Sequence, residues 1–139
     1  LLLNSLYALT KLRLPEAQVK AVFELRAACL SGFTPDLFGC HICGSQEPVR
    51  FDLRAGQLEC ESCRDPDSDG IRLPVTPAVL EAMRYICLCE PKRLFSFQIG
   101  GDAMRLLGNL TEAYLATQLE RGFSTLDFYK SLFIGENYV

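Results

Sequence analysis

Cys40-His41-Ile42-Cys43-Gly44 is answered by a second Cys-x-x-Cys pair, Cys60-Glu61-Ser62-Cys63, with sixteen residues (Gly44 to Glu59) between the two pairs. This spacing suits two thiolate knuckles closing on one tetrahedral Zn²⁺. Four soft thiolates fill the coordination shell of such an ion and leave no position for water or substrate, so the expected cofactor is one structural Zn²⁺ held by Cys40, Cys43, Cys60 and Cys63. Between the knuckles, Val49, Phe51 and Leu53 alternate with Arg50 and Asp52, Ala55-Gly56 supplies a turn, and Gln57 to Cys60 returns. Knuckle, short hairpin, knuckle is a zinc ribbon, here spanning residues 38–65. His41 lies between two cysteines that must both face the metal and is expected to point outward. A thioredoxin-type redox pair is disfavoured by the second Cys-x-x-Cys and by the lack of a surrounding βαβ pattern. The zinc deaminases need a His-x-Glu that is missing around His41.

The flanking sequence reads as helical. Leu2, Leu3, Leu6, Tyr7 and Leu9 recur at helical spacing. Pro15 opens a second helix whose inward stripe is Val19, Val22, Phe23, Ala27 and Leu30, opposite Glu16, Lys20 and Glu24, with Gly32 and Pro35 as the stop. After the ribbon, Asp65-Pro66-Asp67-Ser68-Asp69-Gly70 copies the first half of a calcium loop, but Thr76 stands where the bidentate Glu belongs, so the segment reads as a solvated linker. Thr76-Pro77 caps a third helix with Val79, Leu80, Met83, Ile86 and Cys87 inward. Leu94 to Ile99 is ambiguous, and Gly100-Gly101 breaks it. From Asp102, Ala103, Leu106, Leu107, Leu110, Tyr114 and Thr117 mark the longest helix, ending at Arg121-Gly122. Ser124 to Asp127 then reads as a capping box for a last helix bearing Phe128, Leu132 and Phe133. The expected fold class is mainly α: one helical, bundle-like domain over residues 1–139 with an inserted four-cysteine zinc ribbon. Cys29, Cys87 and Cys89 lie among Ala, Leu and Ile and are expected to be inert core residues.

With 139 residues, 49% hydrophobic and 9 Phe and 5 Tyr to fill an interior, the chain can bury a core without disulfides. Seven cysteines, an odd number without an export signal, favour metal binding over disulfide pairing. No apolar run reaches the ~18 residues of a membrane span. The 17 acidic groups outnumber the 14 basic ones, and residues 40–72 hold seven acids against four arginines, a poor surface for phosphate. The single His and the absence of GxSxG, P-loop or GxGxxG motifs argue against an enzyme. The chain starts at Leu1 inside a helical pattern and is expected to continue a longer protein.

Phe23-Glu24-Leu25-Arg26, Gly32-Phe33-Thr34-Pro35, the two knuckles and Leu126-Asp127-Phe128 together resemble the C-terminal region of the bacterial RecO recombination mediator family. The resemblance implies a cytoplasmic, nucleoid-associated protein of DNA repair and recombination. Such a protein helps load RecA onto single-stranded DNA coated by single-strand-binding protein, acts with RecR, and anneals strands. It also implies an upstream OB-fold that this chain does not contain, so single-stranded DNA binding by residues 1–139 alone is expected to be weak. A partner such as the acidic, hydrophobic-ended tail of single-strand-binding protein would need an apolar pocket with a basic rim. The candidates are Lys11, Arg13, Lys20 and Arg26, or Arg84, Lys92, Arg93, Arg105, Arg121 and Lys130. The alternative is a zinc-ribbon module of a transcription or RNA-processing factor that reads nucleic acid directly.

Overall fold

The computed structural model describes residues 1–122 and 131. Among the described residues, four helices, α1 (Leu2–Thr10), α2 (Glu16–Leu30), α3 (Pro77–Leu88) and α4 (Gly101–Gly122), accompany a small antiparallel sheet of β1 (Pro48–Asp52), β2 (Gln57–Cys60) and β3 (Arg72–Pro74), in the order β2-β1-β3. The expectation of a mainly helical fold holds in part: the ribbon hairpin is joined by a third strand, with Phe51 opposite both Leu58 and Leu73. The last helix and its capping box at Ser124 to Asp127 lie outside the described residues. No described helix is long and apolar enough to cross a membrane.

Local sequence explains where the helices begin and end. The Thr76 hydroxyl accepts the Val79 N–H at 3.3 Å with Pro77 in the first turn. Gly32, at φ +91°, ends α2 while the Phe33 N–H returns to the Ala28 carbonyl at 2.9 Å. Which face is buried is a different matter. On α1 it is Ser5 and Ala8, while Leu2, Leu3, Leu6 and Tyr7 are exposed, the reverse of the apolar-stripe expectation. α1 packs mainly on α2, so only its Ser5 and Ala8 side is covered and the leucine face is left open. On α2, Val19 and Val22 point inward as expected, but Leu30 is exposed and Glu24 is buried beside Lys20 at 2.8 Å. The helix packs against α1, α3 and α4 together, so a single stripe does not describe its burial.

Helices and ribbon share one core. Leu25, Met83, Ile86, Leu107 and Leu110 from the helices cluster with Phe51, Leu53 and Leu58 from the ribbon. The Phe51 ring meets Tyr114 of α4 edge-on at 5.3 Å. The Gln118 amide donates to the carbonyls of Leu53 and Arg54 at 2.8 and 3.2 Å, so α4 satisfies the polar groups of the hairpin turn that it covers.

Gly56 sits where this docking is tightest. Its φ is +66°, and a Cβ there would lie 2.9 Å from the Tyr114 hydroxyl, which donates to the Phe33 carbonyl at 2.7 Å. Gly56→Ala is therefore expected to destabilise the protein by about 2 kcal/mol, from the left-handed backbone together with the displaced tyrosine. Urea unfolding of the metal-loaded protein measures this. An unchanged midpoint would mean that the turn relaxes freely.

Candidate metal centre

The first knuckle is built by backbone turns. Gly39 at φ +144° and Gly44 at φ +75° flank it, the Gly44 N–H returns to the Cys40 carbonyl at 2.8 Å, and the Cys40 N–H reaches Ser45 at 2.9 Å. It is stitched to β2 because the His41 N–H donates to the Leu58 carbonyl at 2.9 Å. That strand runs directly into Cys60, and the Cys63 N–H turns back to the Cys60 carbonyl at 3.3 Å. One guanidinium nitrogen of Arg50, on β1, donates to the carbonyls of Cys60, Glu61 and Cys63 at 2.8, 3.3 and 2.7 Å. Arg50 thus clamps the backbone of the second knuckle.

The sulfurs of Cys40, Cys43, Cys60 and Cys63 all lie within 4.8 Å of one another, with Cys43 and Cys60 3.7 Å apart. Cys40 and Cys60 are buried, Cys63 is half-buried and Cys43 is exposed. Four thiols this close could hold a metal ion, and without one they cannot all ionise. The Ser62 hydroxyl holds Cys60 down at about 6, while the neighbouring Cys60 and Cys43 sulfurs push Cys63 up to about 12. A bound cation reverses that penalty by deprotonating all four.

His41 stays clear of the sulfurs. It turns back onto the ribbon instead of into solvent, with Nδ1 3.0 Å from the Leu58 carbonyl and Nε2 3.4 Å from Asp65.

A buried ionic network beneath the knuckles escaped the sequence reading. Glu59, fully buried, accepts from Arg72 Nε at 2.8 Å and from the Asp65 N–H at 2.7 Å. Asp52, 1% exposed, accepts from the Arg54 and Ala55 N–H groups at 2.9 and 3.0 Å and from the Ser68 hydroxyl. Arg72 also donates to the carbonyls of Ser68, Gly70 and Asp65 at 3.0, 2.9 and 2.9 Å. A Cβ on Gly70 would strike the Asp52 carboxylate, which explains the glycine that closes this acidic segment. The segment is therefore a strap folded onto buried charges through Asp65, Ser68 and Gly70, while Pro66, Asp67 and Asp69 stay exposed, so the solvated-linker expectation holds for one side of it only. Asp52 keeps the apolar–polar alternation of β1 in the sequence and is buried all the same, so no local sign marked it.

The family model described as "Recombination protein O C terminal" matches residues 1–127. The chain belongs to the RecO family. Curated relatives include the DNA repair protein RecO of Acetivibrio thermocellus, 32% identical over 95% of this chain and 53% of that protein. The RecO of Caldicellulosiruptor saccharolyticus is 30% identical over 94% of this chain and 52% of its own length, and that of Rubrobacter xylanophilus 39% over 62% and 36%. The chain thus spans about half the length of the RecO relatives it matches most fully. No solved structure matches it.

The basic residues picked out as partner candidates are scattered over this RecO-family fold. Arg26 points inward and donates to the carbonyls of Ile86, Cys87 and Cys89. Lys20 bridges Glu24 and Glu112 at 2.8 and 2.9 Å, and Arg105 lies 3.6 Å from Asp102. Lys11 is exposed beyond α1. Arg13 and Lys20 border a groove of about 1040 Å³ between α1 and α2, lined by Leu2, Leu6, Leu9 and Phe23. Arg93, Glu90 and the Arg84–Glu81 ion pair, 2.7 Å long, border another, of about 1060 Å³, on the outer face of α3, where Tyr85, Leu88, Phe97 and Ile99 supply the apolar surface. Lys92 is exposed next to Arg93. Lys130 and the side chain of Arg121 lie outside what is described.

Proposed function

We propose that this chain is the zinc-stabilised, partner-docking half of a RecO-type recombination mediator, without catalytic activity of its own. The observation that carries the reading is the four-thiol cluster of a ribbon whose hairpin packs into the helical core, in a chain of the RecO family. Four sulfurs ~2.3 Å from a central Zn²⁺ stand about 3.8 Å apart, close to the 3.7 Å between Cys43 and Cys60. The donor set is closed, so the ion supplies folding energy and leaves no site for chemistry.

Direct DNA contact through the ribbon is disfavoured by what its arginines already do. Arg50 is taken up by carbonyls, Arg72 is buried among carboxylates, and Arg54 pairs with Asp69 at 2.5 Å. Of the four arginines in residues 40–72, this leaves Arg64.

The groove on α3 suits an acidic peptide with apolar side chains at its end, the chemistry of the single-strand-binding protein tail. The Tyr85 and Phe97 rings, 5.3 Å apart, offer the kind of aromatic surface that anchors peptides. Arg93, which forms no ion pair among the described residues, stands at the rim. Fluorescence anisotropy with a labelled tail peptide tests this. Arg93→Glu is expected to weaken binding about tenfold and Arg13→Glu hardly at all, with the effect larger at low salt. Tight, salt-resistant binding of single-stranded DNA by the same protein would favour the nucleic-acid-reader alternative. If Arg93→Glu changes nothing, docking belongs to another surface or to another partner such as RecR.

A further inference from the structure

A second pair of sulfurs lies outside the ribbon. Cys29, in the last turn of α2, and Cys87, in the last turn of α3, approach to 3.5 Å, Sγ to Sγ, across 58 residues of chain. Cys29, Cys87 and their neighbour Cys89 are all half-buried, with Cys87 and Cys89 packed against the hydrophobic core, so the expectation of core cysteines holds in part. Arg26, nearly one turn before Cys29, donates to the carbonyls of Ile86, Cys87 and Cys89 at 2.9, 3.3 and 3.2 Å, and so holds a fixed positive charge beside the pair.

The two thiols are not equivalent. The hydrogen bond with Cys87, helped by Thr34 and the Arg26 charge, holds Cys29 down at about 7 against the effect of burial. Cys87 is pushed up by Cys29 and by burial. Cys89 is raised by burial and makes no sulfur contact among the described residues. A partly exposed thiolate next to a protonated thiol combines an attacking sulfur with a resolving one.

We propose that Cys29 and Cys87 form a peroxide-reactive dithiol that closes to a disulfide between α2 and α3. The Cys29 thiolate attacks one oxygen of a hydroperoxide; an S–O bond forms, the O–O bond breaks, and the leaving hydroxide or alkoxide takes a proton. Cys87 sulfur then attacks the sulfenic sulfur of Cys29. An S–S bond forms, the S–O bond breaks, and the departing oxygen leaves as water with the Cys87 proton. Overall, two thiols lose two electrons and two protons while the peroxide is reduced to water and an alcohol, or to two waters. The sulfurs must close by about 1.5 Å to reach bonding distance. The bond would enclose residues 30–86, and with them all three strands and the four ribbon cysteines, in one covalent loop.

The test treats the metal-loaded full chain with increasing hydrogen peroxide, alkylates the remaining thiols, and maps peptides by mass spectrometry without reduction while a chromogenic chelator follows released metal. A Cys29–Cys87 cross-linked peptide is expected before any metal is released, with Cys89 still alkylated and the cross-link reversed by dithiothreitol. In Cys87→Ser, Cys29 should be trapped as a sulfenic acid by a 1,3-dione reagent. In Cys29→Ser, oxidation of Cys87 should be slowed more than ~10-fold. The wild-type map decides the matter even if a variant folds poorly. Loss of metal with Cys29 and Cys87 still free, or oxidation of Cys29 to a sulfinic acid with no cross-link, would overturn the proposal.

Discussion

Cys40→Ser and Cys60→Ser are each expected to abolish stoichiometric metal binding and to unfold more than the ribbon. Structural zinc in small ribbons and fingers supplies on the order of 10 kcal/mol, comparable to the whole stability of an ordinary domain. Here the loss cannot remain local. Phe51, Leu53 and Leu58 leave the ribbon to pack in the same cluster as Leu107, Leu110 and Tyr114 of α4, so a melted hairpin strips one wall from the helical core. Metal analysis should find one zinc per wild-type chain and none in the variants. Circular dichroism should show a lower melting temperature together with lost helix signal, and chelation of the wild type should reproduce both. A chelated protein that melts unchanged would show that the cluster is not what holds the ribbon together.

Arg72→Met carries the second large effect. It leaves Glu59 and Asp52, 0% and 1% exposed, without their cation. Breaking a buried ion pair from one side costs roughly 3–5 kcal/mol, because the orphaned charge remains desolvated. Removing Glu59 as well, in Arg72→Met/Glu59→Leu, should restore part of that loss, since the carboxylate with the fewest other donors is then gone. The acid limb of stability should shift too. In the wild type burial tends to raise the Asp52 carboxyl, but the Ser68 hydroxyl, the Ala55 and Arg54 N–H groups and the Arg72 charge win and hold it below the usual range. A depressed folded value gives stability that is present above the ordinary carboxylate range near pH 4 and is lost as the pH falls through it. Without Arg72 the folded carboxyl rises toward its ordinary value, so the variant, weaker at neutral pH, should lose less further stability than the wild type as the pH falls from 7 to 3. Urea midpoints across pH 3–7 for wild type, single and double variants measure all of this; equal midpoints would mean that water or the strap already compensates the carboxylates.

The ligand set was legible because it is a local property. Two Cys-x-x-Cys pairs and the glycines around the first of them place four sulfurs together with little help from the rest of the chain, and the structure brings the same four residues within 4.8 Å. Helix boundaries were legible for the same reason: Thr76 with Pro77, and Gly32, act on their own neighbouring backbone groups. The recognisable family followed from the order of these local features.

What only the tertiary structure decided depends on partners remote in sequence. Whether α1 buries its leucines or Ser5 and Ala8 depends on what α2 presents to it, and the periodicity of a helix identifies a stripe without saying whether anything covers it. Glu24, Asp52 and Glu59 are charged residues whose burial is compensated by Lys20, by Arg72 and by donors of the Asp65–Gly70 strap and the hairpin turn. Composition alone therefore assigned them to solvent. Cys29 and Cys87 look like two unremarkable small residues on two helices until those helices cross and bring their sulfurs to 3.5 Å. The physical reason is the same in each case. Turns, caps and metal knuckles are settled by short-range sterics and hydrogen bonds along the chain, whereas burial, ion pairing and thiol reactivity are set by which surfaces meet.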